Sequence, residues 1–89
     1  MGRYLVHRSD GNQSVIIQAL QAVGAQVYPL GQPVDLLVGY KGRNWLLEVK
    51  TARGRLRNGQ GVFLASWAGQ AAVVRSVDDA LDAIGVKRR

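Results

Sequence analysis

The sequence predicts an α/β fold, in which helices flank a four-stranded mixed sheet within a single domain over residues 1–89. Two observations support this prediction. Hydrophobic residues recur at helical spacing in three segments and form short apolar runs in four others, with glycine, proline or polar residues between them. The predicted order is α-β-β-β-α-β-α, and the late strand–helix–strand unit favours a parallel return into the same sheet.

The first helix is predicted to begin at Asp10, because Asp10 and Gln13 have the spacing of a capping box. Gly24 is expected to end this helix, since glycine readily adopts the left-handed conformation found at helix C-termini. Hydrophobic residues between these ends recur at helical spacing: Val15, Ile16, Ala19, Leu20 and Val23. Residues 26–28 are then predicted to form the first strand.

The central part of the chain is predicted to be a β-hairpin, entered by a proline- and glycine-containing turn at residues 29–33. Two short apolar runs, residues 35–39 and 45–50, flank a segment with a glycine where a tight turn needs a positive φ. With Lys41 and Gly42 at the tip, residues whose numbers sum to 83 face each other across the hairpin. This register determines which side chains share a face of the sheet.

The predicted register places Asp35 opposite Glu48, and Lys50 follows on the same face. Directly opposed side chains in an antiparallel pair have Cβ atoms about 5 Å apart. Two ionised carboxylates that close repel each other unless a cation lies between them. Oxygen ligands at roughly 2.1 Å are the ones that Mg²⁺ prefers. The spacing therefore predicts a divalent-metal site, and the alternative is a buried ion pair with only a structural role.

The remaining elements follow a basic, glycine-containing loop at residues 51–59. A second helix is predicted over residues 60–67, with its larger apolar residues on one side. Residues 71–75 form a short apolar run that predicts the last strand. Ser76 is expected to cap the final helix, and Gly85 is expected to end it.

The composition restricts the chemistry that the chain can perform. It contains no cysteine and one histidine, which excludes disulfides, thiolate metal sites and zinc sites built from several histidines. Any bound metal must therefore be held by oxygen. No stretch approaches about 18 consecutive apolar residues, and the N-terminal residues contain no long apolar leader. We therefore expect a cytoplasmic protein with no membrane partner.

The distribution of charge favours DNA as a partner. The net charge is +6, and residues 1–77 carry nine lysines and arginines but only three acidic residues. Two of those three acidic residues are Asp35 and Glu48. A basic body that keeps carboxylates within apolar strands indicates a polyanion partner and a metal-dependent site. The alternative is a charge bias that only aids solubility.

The motifs of the chain resemble those of a nuclease family. The segment Pro-Val-Asp at residues 33–35 is followed by Glu-Val-Lys at residues 48–50, and Gln60 opens the next helix. In this order the motifs resemble the PD-(D/E)XK nuclease superfamily, and more narrowly the small stand-alone VRR-NUC (virus-type replication–repair nuclease) domains of phages and prophages. The likeness covers residues 10–85. It includes further segments at residues 24–28, 35–39, 46–50, 69–74 and 76–81.

The resemblance implies a restriction-endonuclease-like αβββαβ(α) core and a Mg²⁺- or Mn²⁺-dependent DNA endonuclease. Its substrates would be structured or branched DNA, such as flaps and four-way (Holliday) junctions. Asp35, Glu48 and the backbone carbonyl of Val49 would hold the metal. Lys50 would orient the attacking water or neutralise developing charge. The resemblance further implies a homodimer that acts in a bacterial host cell and is encoded by a phage or prophage.

Two glutamines are candidate accessory residues. Gln13 stands where the family usually has a glutamate, and Gln60 stands where a glutamine would touch the catalytic lysine or a phosphate. Each has a structural alternative, since Gln13 fits a capping box and Gln60 fits a helix start. A further departure from the family is Val34, which separates Pro33 from the aspartate that usually follows it directly.

Arg53, Arg55 and Arg57 are the first candidates for contacts with DNA phosphates. They alternate along the basic loop, so an extended loop would point all three in the same direction. Lys41 and Arg43, beside the hairpin tip, complete the candidate DNA-binding residues. The alternative is that the loop is simply solvated.

A rival hypothesis is a DNA-binding or assembly module that has the same fold and weakened catalysis, which Gln13 favours. Trp45 and Trp67 are predicted to lie in the core or in a subunit interface rather than to stack on bases. Trp67, Phe63 and the last helix are the candidate dimer surface.

Overall fold

The structure, a computed structural model, describes residues 12–57 and 59–87, so the predicted N-cap at Asp10 lies outside the described residues. It has the predicted α/β architecture, with a four-stranded mixed sheet and helices. In chain order the elements are α1 (Asn12–Ala22), β1 (Gln26–Pro29), β2 (Leu36–Tyr40), β3 (Arg43–Val49), α2 (Gln60–Ser66), β4 (Ala71–Val74) and α3 (Val77–Ala83).

The strands follow the order β1-β2-β3-β4, with two antiparallel pairs and a parallel pair between β3 and β4. The predicted hairpin register is confirmed, because Leu36 pairs with Leu47 and Tyr40 pairs with Arg43. The turn between these strands has positive φ angles, 52° at Lys41 and 81° at the following glycine. Two consecutive left-handed residues give the twist that a two-residue hairpin turn requires.

The hydrophobic core lies on one face of the sheet. Strand alternation sends Leu36 and Val38 of β2 to this face, and both side chains are fully buried. The neighbouring strand adds three buried apolar side chains: Trp45, Leu47 and Val49. α1 and α3 pack against each other and supply Ile16, Leu20 and Ala80 to this core, and Ile84, directly after α3, is also part of it. Full burial of each large side chain stabilises the fold by about 1.5–3 kcal/mol.

Specific caps fix the ends of the packed helices. Gly24, with φ 96°, donates its N–H to the carbonyl of Gln21, and Ala25 donates to the carbonyl of Leu20. This pair of hydrogen bonds is a Schellman motif and confirms the predicted end of α1. At the start of α3, the hydroxyl of Ser76 accepts the N–H of Asp79 at 3.0 Å, as predicted.

Two further findings bear on the predicted surfaces. Trp45 is buried in the core, as expected, whereas Trp67 at the end of α2 is 47% exposed. Among the described residues, no helix is long and apolar enough to span a membrane.

Candidate active site

The hairpin register continues one residue beyond β2 and brings Asp35 against Glu48. The Asp35 N–H donates to Oε1 of Glu48 at 3.2 Å, and Oδ2 of Asp35 accepts the N–H of Val49 at 2.8 Å. The Asp35 carbonyl accepts the N–H of Leu30 at 2.7 Å, which closes the preceding loop. Because its N–H, carbonyl and carboxylate all have partners, Asp35 is held in one place without belonging to a strand.

Glu48 is a buried charge on the face of β3 that lies away from the core. Its neighbours Leu47 and Val49 point into the core, so Glu48 points to the other face. That face is open elsewhere, since Leu37 is 37% exposed, yet Glu48 is only 2% exposed. Its Oε2 lies 3.2 Å from Nζ of Lys50, whose side chain is 15% exposed. The predicted grouping of Asp35, Glu48 and Lys50 is therefore present.

The electrostatics of this cluster favour a cation. Burial raises the pKa of the Asp35 carboxyl above its ordinary value of 3.8, and the adjacent carboxylate of Glu48 raises it further. The Val49 N–H and the charge of Lys50 act in the opposite direction. Two carboxylates thus share a single ammonium group, which leaves the cluster with one unbalanced negative charge when both are ionised.

The donor atoms fit a hard divalent cation. Asp35 and Glu48 offer carboxylate oxygens at one spot, and such oxygens suit Mg²⁺ or Mn²⁺. Within residues 12–57 and 59–87, no group of three His, Cys, Asp or Glu side chains could hold a metal. Mg²⁺ is commonly bound through one or two carboxylates together with water and substrate phosphates. Two carboxylates are therefore compatible with a Mg²⁺ site of this kind.

The two accessory glutamines do not join the cluster. Gln60 is 7% exposed, and its Oε1 accepts the N–H of Arg57 at 3.0 Å, while its own N–H donates to the Arg57 carbonyl. This reciprocal pair closes the turn before α2, which matches the helix-start alternative. Gln13 is half-buried in the first turn of α1, and no hydrogen bond joins its side chain to Asp35, Glu48 or Lys50.

The basic loop begins with a turn at residues 51–54 rather than with extended backbone. The N–H of Gly54 donates to the carbonyl of Thr51 at 3.1 Å, so Arg53 lies in a hydrogen-bonded turn, and a second turn follows at Arg57. Alternation aligns side chains only on continuous extended backbone, and the turn at residues 51–54 interrupts such backbone at Arg53. Arg53, Arg55 and Arg57 are all exposed and close in sequence to Lys50.

The second basic group lies at the far end of the hairpin. Lys41 and Arg43 are exposed beside the tip, five strand residues away from Glu48. At about 3.3 Å per residue this is roughly 17 Å. The ammonium of Lys41 lies 5.4 Å from the centre of the Tyr40 ring, a cation–π distance. The structure therefore does not bring these two basic residues to the carboxylates.

Two residues at the site were not predicted from the sequence. Asn12 and Arg75 donate side-chain hydrogen bonds to the main chain at and just after Lys50. Asn12 begins a helix and Arg75 follows a short apolar strand, and both are common settings for polar residues. The one available signal was the predicted parallel pairing of the last strand, which brings the ends of β3 and β4 together.

Comparisons with known proteins provide no relative from which a function could be inferred. No protein-family model, curated protein or solved structure matches the chain.

Proposed function

We propose that this chain is a divalent-metal-dependent DNA endonuclease of the VRR-NUC type within the PD-(D/E)XK superfamily. The observation that carries the proposal is the buried carboxylate of Glu48, held between Asp35 and Lys50. Structural ion pairs of this kind are weak stabilising devices, because two charges must be desolvated. Clustered, desolvated charges of opposite sign with a perturbed pKa are typical of catalytic sites.

Asp35 and Glu48 are the proposed metal-binding side chains, together with the backbone carbonyl of Val49. A bound Mg²⁺ or Mn²⁺ would act as a Lewis acid on the phosphate and lower the pKa of a water molecule. The protein fixes the two carboxylates before any ligand arrives, since the N–H of Val49 holds Asp35 and the N–H of Asp35 holds Glu48. Pre-set ligands avoid the entropy cost of ordering them during the reaction.

Lys50 is the proposed catalytic cation. Its ammonium lies 3.2 Å from Glu48, and its side chain is 15% exposed, so we expect the ammonium to contact both the carboxylate and an incoming water or phosphate oxygen. A donor placed where negative charge develops stabilises the transition state of phosphodiester hydrolysis. The same ammonium offsets the repulsion between the two carboxylates before DNA binds.

DNA is the proposed substrate, and phosphate contacts are assigned to the exposed Arg53, Arg55 and Arg57. Contacts with phosphates position DNA without reading its sequence. Lys41 and Arg43 lie roughly 17 Å from the carboxylates, so they would contact a different phosphate on the same duplex or a second arm of a branched one. The choice of branched DNA, and a setting in a bacterial host cell under phage or prophage control, rest on the motif resemblance.

A homodimer is proposed from apolar surface on α2. Val62 is 73% exposed and Trp67 is 47% exposed, and the Trp67 ring packs against Phe63 with 5.3 Å between ring centres. Exposed apolar residues that cluster on one element usually mark an interaction surface. A two-fold pairing would also provide the two sites that cutting both strands of a symmetric junction needs.

A cleavage assay tests the proposal. Purified protein is incubated with Mn²⁺ or Mg²⁺ and a panel of linear duplex, flap, splayed and four-way DNA, with EDTA as the metal-free control. Glu48→Gln is the matched variant, because it keeps the size of the side chain and removes its charge. We expect cleavage by the parent protein with metal, and none with EDTA or with Glu48→Gln.

The second candidate function is a DNA-binding module without catalysis. It is favoured by the neutral Gln13 at the place of a family glutamate and by the lack of a third metal-ligating side chain among the described residues. This candidate predicts that the parent protein binds the same DNA panel and cuts none of it with either metal. That outcome would contradict the proposed nuclease activity.

A further inference from the structure

The main chain that leaves Lys50 is held by side chains from distant parts of the sequence. The side-chain amide of Asn12, in the first turn of α1, donates to the carbonyl of Lys50 at 2.8 Å and to the carbonyl of Arg75 at 3.0 Å. Asn12 therefore joins the ends of β3 and β4 to the start of α1. The N–H of Lys50 donates to the carbonyl of Val74 at 3.0 Å, which completes this junction.

Arg75 holds the next part of the same segment. Its Nη1 donates to the carbonyl of Thr51 at 2.8 Å and to the carbonyl of Gly54 at 2.7 Å. The Arg75 backbone is itself fixed, since its N–H donates to the carboxylate of Asp79 at 2.9 Å. Hydrogen bonds from a charged donor are among the stronger ones in proteins. Three carbonyls between residues 50 and 54 thus accept a side-chain donor, although this segment belongs to no strand.

The basic loop therefore folds back towards Lys50. The backbone of Gly54 lies close to Lys50 and Thr51. A Cβ at position 54 would be 3.4 Å from Cβ of Lys50 and 3.2 Å from Oγ1 of Thr51. Arg53 and Arg55 flank Gly54, and adjacent Cα atoms are about 3.8 Å apart. The path of the loop therefore decides how near these two arginines lie to the site.

We propose that Arg75, assisted by Asn12, is the positioning residue of the basic loop: it holds the segment after Lys50 folded back, so that Arg53 and Arg55, on either side of Gly54, stay close to Lys50. Two hydrogen bonds run from Nη1 of Arg75 to backbone carbonyls of the loop, so Arg75 acts on the path of the backbone. The consequence for DNA rests on the proposed nuclease function, whereas the consequence for the loop does not.

Trypsin digestion of the DNA-free and metal-free protein tests the proposal directly. Cleavage after Arg53 cuts inside the held segment. Cleavage after Arg57 lies three residues beyond it, in the turn closed by Gln60, and serves as the internal reference. We expect Arg75→Met to raise the initial rate of cleavage after Arg53, relative to that after Arg57, by about ten-fold, because proteolysis follows the population of the open loop. Arg75→Lys, which keeps a charged donor, should return the ratio most of the way to the parent value.

Two further variants keep the test decisive. Lys87→Met loses the same charge on an exposed residue away from the loop, and its ratio should equal that of the parent. Asn12→Ala keeps the Arg75 side chain but frees the carbonyls of Lys50 and Arg75, and it should raise the ratio in the same direction if Arg75→Met does not fold. A ratio that stays at the parent value in both Arg75→Met and Asn12→Ala would overturn the proposal.

Single-turnover cleavage then connects the loop to the site. We expect Arg75→Met to raise the protein concentration needed for half-maximal cleavage by about ten-fold and to leave the maximal rate within about two-fold, because the carboxylates are untouched. An equal loss in both quantities would place Arg75 in the chemical step and contradict a positioning role. If the parent protein cuts no DNA, the nuclease proposal fails while the digestion result still decides the role of Arg75.

Discussion

Asp35→Asn is the substitution that separates a metal site from a structural ion pair. Asparagine keeps an oxygen to accept the Val49 N–H, and its amide can donate to Glu48, as a protonated Asp35 would. The variant therefore keeps the geometry and removes one of two neighbouring negative charges. Without metal we expect it to be more stable than the parent protein, and we expect it to cut no DNA.

The size of the effect follows from the charges. Two unit charges about 5 Å apart repel by roughly 3 kcal/mol at an effective dielectric constant of 20. The ammonium of Lys50 and the partial exposure of Asp35 reduce this figure, so we expect a net gain of about 1 kcal/mol. In a domain of this size, 1 kcal/mol raises the melting temperature by about 4–8 °C.

Thermal unfolding measured by circular dichroism, in EDTA and then in Mn²⁺, provides the assay. In EDTA the variant should melt above the parent protein. Metal at about 100 times its Kd should stabilise the parent protein by about 2.7 kcal/mol and should stabilise the variant, which lacks one ligand, far less. The order of the two melting temperatures should therefore reverse.

The matched control is Asp78→Asn, which makes the same chemical change outside the carboxylate cluster. Asp78→Asn removes a carboxylate from the first turn of α3, where negative charge favours the helix, and it should lower stability by about 0.3–1 kcal/mol. Two outcomes would refute the reasoning. In one, Asp35→Asn is less stable than the parent protein in EDTA. In the other, the difference in stability between the two proteins is the same in Mn²⁺ and in EDTA.

Four other predictions concern the carboxylates, Lys50, the loop arginines and the proposed dimer. The gain in stability from Asp35→Asn should be small below pH 3.8 and should grow as pH rises. Because the pKa of Asp35 is raised in the folded parent protein, the folded state binds more protons than the unfolded chain, and the parent loses stability as pH rises. Urea titrations across this pH range measure the difference. Lys50→Ala should still bind Mn²⁺ by calorimetry but cut about 100-fold more slowly, and an unchanged rate would leave Lys50 a structural counter-ion. Replacing Arg53, Arg55 and Arg57 together with Ala should reduce the slope of log K against log[salt] by about 2–3, and an unchanged slope would place DNA elsewhere. Sedimentation equilibrium at micromolar concentration should report about twice the chain mass, and a monomer that cuts both strands in one encounter would exclude the proposed dimer.

The sequence predicted the part of the fold that local patterns determine. The alternation of apolar residues and the glycine at the hairpin tip were enough to place Leu36 opposite Leu47, and a shift of one residue would have turned the core face to solvent. The same register predicted that Asp35 lies beside Glu48, although Asp35 is just outside β2. Helix ends at Gly24 and Gly85 were predictable because glycine can adopt the positive φ angles, 96° and 81°, found there.

The path of the basic loop was not predictable in this way. Alternating arginines indicate a common direction only on extended backbone, and hydrogen bonds from Arg75 to Thr51 and Gly54 fold the segment into a turn instead. Thr51 and Gly54, whose carbonyls accept these hydrogen bonds, lie 24 and 21 residues from Arg75 in sequence, beyond any local period. Tertiary contacts of this kind override local preference, and only the assembled sheet brings their partners together.

The energetics of Glu48 give the strongest reason to assign a function to this end of the sheet. A domain of this size has about 5–10 kcal/mol of stability in total, and burial of an ionised carboxylate costs several kcal/mol before its partners offset it. Apolar residues of similar volume in place of Glu48 and Lys50 would be neutral or stabilising. The core on the opposite face needs neither residue, since Leu47 and Val49 already fill it. Stability alone therefore does not account for a buried carboxylate that is held by Asp35 and paired with Lys50, and this is the physical reason for proposing that the site binds a cation.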